Sequence, residues 1–166
     1  ALGDIADIYI KNKDYVNAIN ALNRKSDGDP AALSVKELYN VAKAYYFGEQ
    51  NYAAADSCFA NLAERSPSYA PAYLWRGRAS FNMDLQNELW LAKEHYAKFL
   101  EVVGEENLKA PSNKSSVVEA CKYLGDYYVN NEENKNIEEA KKYWGIVLEL
   151  VPDDNQATAF FQEHKI

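Results

Sequence analysis

Residues 121–152, CKYLGDYYVNNEENKNIEEAKKYWGIVLELVP, decide the fold. Two helical patterns flank the polar turn NNEENKN. In the first, Cys121, Leu124, Gly125 and Tyr128 fall at i, i+3, i+4 and i+7, the spacing of a buried helical stripe. In the second, Ala140 and Trp144 lie one turn apart, and Pro152 stands where a helix is stopped. The small residue in each stripe lets another helix backbone approach. The large residues one turn away fill the space between helices.

The same order recurs upstream. Leu38, Val41, Ala42 and Tyr45 precede Ala55, Phe59 and Pro67, and Leu2, Ile5, Ala6 and Tyr9 precede Ala18, Leu22 and Pro30. A degraded copy keeps Tyr73, Gly77, Ala92 and Tyr96. It has Arg76 for the aliphatic, Ser80 for the tyrosine and Gly104 for the proline. The pattern resembles the tetratricopeptide repeat (TPR), W-x2-L-G-x2-Y…A-x3-F…P over 34 residues, and it covers nearly the whole chain. The second-helix alanines are 37, 37 and 48 residues apart, so the copies are longer than 34. The largest excess, 11 residues, lies in the Gly- and Pro-containing stretch between Val103 and Ser116, which reads as a loop.

The expected architecture is all-α: an α-α superhelix, or TPR solenoid, of about four helix-turn-helix repeats and a C-terminal capping helix. The repeats fall at about 1–30, 34–67, 70–104 and 115–152, with the cap at 154–166, as a single domain over 1–166. Helices are predicted at about 2–12, 14–25, 34–47, 52–65, 70–83, 87–103, 115–130 and 136–150. Ser34 with Glu37 and Ser116 with Glu119 fit the capping box. The closing helix would lay Ala157, Phe160 and Phe161 on the last repeat and turn Gln162, Glu163 and Lys165 to water, closing the core of a stacked array. The loop after Val103 and the lost proline make the joint between repeats three and four the weakest.

Composition narrows the function. The 166 residues carry 18 Lys+Arg against 25 Asp+Glu, a net charge of −7, and the pI is near 4.9. That balance speaks against a nucleic-acid binder, which needs a basic footprint. No apolar run is long enough to enter and cross a bilayer. The two cysteines, Cys58 and Cys121, lie in helical patterns and read as core hydrophobes, with a disulfide between them as the alternative. Phosphate-loop, nucleophile-elbow and zinc-helix motifs are absent. His95 reads as a partly buried or surface histidine and lacks a nucleophile and acid to serve as a base. Asp27, Asp29, Asp153 and Asp154 read as helix caps in turns. No enzyme activity, cofactor or metal is expected.

In TPR arrays first helices line a concave face that commonly holds peptides, so the resemblance implies a binding surface. Projected onto it are Lys36, Tyr39, Asn40, Lys43, Tyr46 and Phe47 from the second repeat. The third repeat adds Pro71, Leu74, Trp75, Arg78, Phe81 and Asn82. This set has three positive charges and no negative one. The outer repeats add Asp4, Asp7 and Lys11, then Glu119, Lys122 and Asp126, giving a basic, aromatic centre with an acidic rim. Two readings follow: solvated cations among aromatics packed within the array, or a groove for a peptide with an acidic or C-terminal carboxylate group. The Lys/Asn carboxylate clamp of some TPR modules is not reproduced, because Gly3 and Asp7 occupy its first-repeat positions. The alternative is a structural or self-assembly scaffold, a segment of a larger repeat protein with further repeats. The compartment stays open; such arrays are frequent in bacterial periplasmic and envelope proteins.

Overall fold

A computed structural model describes residues 1–164, among which there are nine α-helices and no strand. Helices α1 (Leu2–Lys11), α2 (Tyr15–Ser26), α3 (Val35–Ala44), α4 (Tyr52–Arg65) and α5 (Ala70–Met83) belong to a first compact unit, Ala1–Ala92. Helices α6 (Lys93–Val103), α7 (Lys114–Asn130), α8 (Ile137–Leu150) and α9 (Asn155–Glu163) belong to a second, beginning at Lys93. The division falls inside the span expected for the third repeat, ahead of the joint expected to be weakest. Lys165 and Ile166, the last two residues of the expected cap, lie outside the described residues.

In the first unit, successive helices pack on one another, and the small residues read from the repeat are buried there. Ala6, Ala18, Ala42 and Ala55 are at most 1% exposed. Leu22, Leu38, Val41, Phe59 and Leu62 fill the space beside them and are fully buried. Each such side chain contributes about 1.5–3 kcal/mol. The N-termini are held by side chains. Asp14 accepts from the Asn17 N–H, Ser34 from that of Glu37, and Asn51 from that of Ala54. The Ser34–Glu37 box is complete, since the Glu37 carboxylate returns to the Ser34 N–H at 3.0 Å.

The second unit repeats this logic. Gly125 of α7 lies against Trp144 of α8 so closely that an added Cβ would stand 2.5 Å from the indole Nε1. Phe160 of α9 stacks on Trp144 with centroids 5.9 Å apart, and Ala157 is fully buried. The cap therefore closes the last pair with the residues read for it, although Phe161 is only half-buried.

Four expectations need correction. The 34–47 helix ends its α-geometry at Ala44 and continues as a π-helical turn over Tyr45–Glu49, closed by Gln50 at φ 51°. The 87–103 helix begins only at Lys93. The Asp84 carboxylate accepts N–H groups of Glu88, Leu89 and Leu91 at 2.9, 3.1 and 3.3 Å, and this ties the chain into a loop. Ser116 is no cap, because α7 starts at Lys114, and Glu119 instead accepts the Tyr96 hydroxyl at 2.8 Å. Of the four aspartates, Asp29 and Asp154 are N-caps, whereas Asp27 ends α2 in the left-handed conformation and Asp153 lies in the turn before α9. Cys58 and Cys121 are free, buried thiols, one in each unit. Burial pushes them up to about 11 and about 12.

Candidate functional site

Helix α3 begins at a well-capped turn, so its register is fixed. Lys36, Asn40 and Lys43 then follow one another one turn apart along one face. The π-helical turn that extends it takes Tyr46 and Phe47 to the same neighbourhood. Gly48 permits this geometry, because any Cβ there would run into the side chain of Tyr15 on α2. Phe47 stacks on Tyr15 with centroids 6.4 Å apart.

Trp75 of α5 is the centre of the arrangement. One stack, to the fully buried Phe59, has centroids 5.9 Å apart at 14°. Tyr46 and Phe47 meet the indole edge-on at 5.1 and 5.4 Å. Over the indole lie the Lys43 ammonium, 5.1 Å from its centroid, and the Arg78 guanidinium, 4.5 Å from it. Lys43 also faces the rings of Tyr39 and Phe47, each at 5.5 Å. Cation–π attraction holds an ammonium in such a cage. Even so, burial and then the neighbouring Arg78 charge push Lys43 below the usual lysine value. No carboxylate among the described residues ion-pairs with Lys43.

The other projected residues divide. Lys36 forms an ion pair with Asp7 of α1, and Asn40 donates its Nδ2–H to the other Asp7 oxygen at 3.0 Å. The centre is thus not free of negative charge: Asp7 reaches in from α1 and compensates Lys36. Leu74 is 7% exposed and belongs to the core, not to the surface. Tyr46, Pro71, Phe81 and Asn82 are half-buried, and Asn82 donates to the Tyr46 hydroxyl at 2.9 Å.

Beside the cage opens a cleft of about 270 Å³ lined by Ile10, Lys11, Lys13, Tyr15, Tyr39, Asn40, Lys43 and Phe47. Among the described residues, three lysines and no acid line it. The projection missed Ile10, Lys13 and Tyr15 and left Lys11 on the rim. The signal was the sequence Lys11-Asn12-Lys13, whose turn places Lys13 in the left-handed region at φ 58°. Helical periodicity gives no direction to a side chain in such a turn. In the second unit, His95 is half-buried on α6.

No family model matches the sequence, and no curated protein matches it. Among solved structures, the chain is similar to the C-terminal part of a TPR repeat-containing protein from Cytophaga hutchinsonii. Identity is 28%, covering 96% of this chain and 58% of that one, at a TM-score of 0.77. This is a tetratricopeptide-type fold. A structure of MamA is likewise similar, at 21% identity over 90% of this chain and 75% of its own, with a TM-score of 0.64. The first TPR of Spaghetti (RPAP3), bound to the HSP90 peptide SRMEEVD, matches at 23% identity over 98% of this chain and 86% of its own. Its TM-score of 0.43 is too low to bear on the binding surface. The aromatic cage lies on α3 and α5. The chain spans little more than half of the Cytophaga structure. No helix among the described residues is long and apolar enough to cross a membrane.

Proposed function

We propose that this TPR unit is a non-enzymatic binding module that holds a peptide or protein segment through an acidic anchor, a side-chain or C-terminal carboxylate. The anchor would sit at Lys43, with the aromatic faces of Tyr39, Phe47 and Trp75 taking its apolar neighbours. The single observation that carries this is the Lys43 ammonium, partly desolvated among three rings with no carboxylate among the described residues to answer it, in a chain of net charge −7. Such a cation gains more from a ligand acid than a solvated one does, and aromatic and basic residues together are the usual makeup of binding hot spots. A charge-assisted hydrogen bond there contributes about 1.5–3 kcal/mol.

Selection from a random displayed-peptide library tests it. The wild type should enrich an acidic position beside apolar residues. The double variant Lys43→Glu, Arg78→Glu should lose that enrichment while its circular dichroism stays helical. Equal enrichment by both proteins would remove the cage from the account.

A second reading, a scaffold segment that stacks end to end, draws on Ile5, Ile8 and Val16, which are 43%, 57% and 53% exposed on the first helix pair. Sedimentation over a range of concentrations separates the two. A strict monomer speaks against stacking.

A further inference from the structure

Along α3 the surface has two differently furnished halves. Around Lys43 the cleft is lined by Lys11, Lys13 and Lys43, with Asn40 at its edge and no acid among the described residues. One and two turns earlier, Asn40 and Lys36 are already engaged. The two oxygens of Asp7 are shared between them, Oδ1 accepting from Asn40 at 3.0 Å and Oδ2 pairing with Lys36. The Asp7 side chain is 28% exposed, while that of Lys36 is 70% exposed. Asp7 therefore stands where a ligand carboxylate would have to stand in order to use the same two donors. A second acid arriving there would displace Asp7 from both partners and meet its negative charge, and like-charge juxtaposition of this kind rejects a partner.

We propose that Asp7 is a built-in competitor for acids, so that the first unit accepts one acidic anchor in the Lys11–Lys13–Lys43 cleft and excludes a second beside Lys36 and Asn40. This rests on the binding reading above and adds a rule to it. Lys36 and Lys43 are two turns apart, roughly 10 Å along the helix axis, or about three residues of an extended ligand. The excluded acid is the one about three positions from the anchor.

The test repeats the random-library selection with the wild type, Asp7→Ala and Asp7→Asn. The wild type is expected to enrich one acidic position. Both variants should keep it, which also reports an intact fold, and gain a second about three residues away. A synthetic two-acid peptide should then bind Asp7→Ala about tenfold or more tighter than the wild type, while its one-acid version changes little. Identical acidic profiles in all three proteins, with the single anchor present, would overturn the role of Asp7 and leave the groove reading standing. A wild type that enriches no acid at all would overturn the groove reading, and this inference with it.

Discussion

At the scale of the residue, Gly125 and Trp144 show how little room the packing leaves. A methyl group at position 125 would stand 2.5 Å from the indole nitrogen, and that nitrogen is already buried without a hydrogen-bond partner among the described residues. Gly125→Ala is expected to destabilise the fold by about 1–3 kcal/mol through overpacking, read as a lower midpoint in urea unfolding. Trp144→Ala should cost about 3–5 kcal/mol in the same measurement. Glu37 supplies the pH prediction. Burial alone would raise its carboxyl. The Lys25 ammonium at 2.5 Å and the Ser34 N–H and hydroxyl outweigh that and hold it below its ordinary value of 4.5. The folded state thus binds this proton less readily than the unfolded chain does. The stabilisation is complete above about pH 4.5 and is lost as pH falls through the lower folded value. Glu37→Gln should flatten the acid limb of melting temperature against pH below that point; an unchanged limb would take Glu37 out of the acid response. The small and large packing residues and the Ser34–Glu37 box were legible in the sequence because each follows from helical spacing alone. The Asp7 contact was not. It joins residues 29 and 33 apart across two helices, and no local pattern encodes it.

At the scale of the element, helix identity was legible almost everywhere, and the departures share a cause. A periodic stripe states where a helix could run, while side-chain acceptors and tight contacts decide where it stops. The apolar stripe after Tyr45 continues through Tyr46 and Phe47, but the close approach of Gly48 to Tyr15 goes with a π-helical turn there. The run from 87 to 92 looks helical in composition, yet Asp84 binds three of its backbone N–H groups, and Asn87 and Trp90 take positive φ. Asp84→Ala would strand those donors in a part-buried loop, at a cost of about 1–3 kcal/mol. Amide exchange at Glu88, Leu89 and Leu91 should speed up ahead of that in α4 and α5. Unchanged exchange at those three amides would mean that other groups hold the loop.

At the scale of the whole molecule, the net charge of −7 and the basic, aromatic face on α3 and α5 stand in contrast. An acidic chain spends cations on such a face at the cost of ion pairs elsewhere on its surface, and Lys43 is the cation whose position argues most strongly for a ligand. The face itself was legible as a row of residues at helical spacing. The split between the Lys36 end, which Asp7 compensates, and the cleft around Lys43 was not, because that depends on which acids reach across from α1. The most direct measurement is calorimetric titration of the best library-selected acidic peptide into the wild type and into Lys43→Glu, Arg78→Glu, in about 0.05 and 0.2 M salt. Binding to the wild type should weaken with salt as exposed charges are screened, and the double variant should bind at least about a hundredfold more weakly. Equal affinity of the two proteins, or an affinity indifferent to replacing the peptide's acid by its amide, would contradict the claim that an uncompensated cation on this face captures an acidic partner.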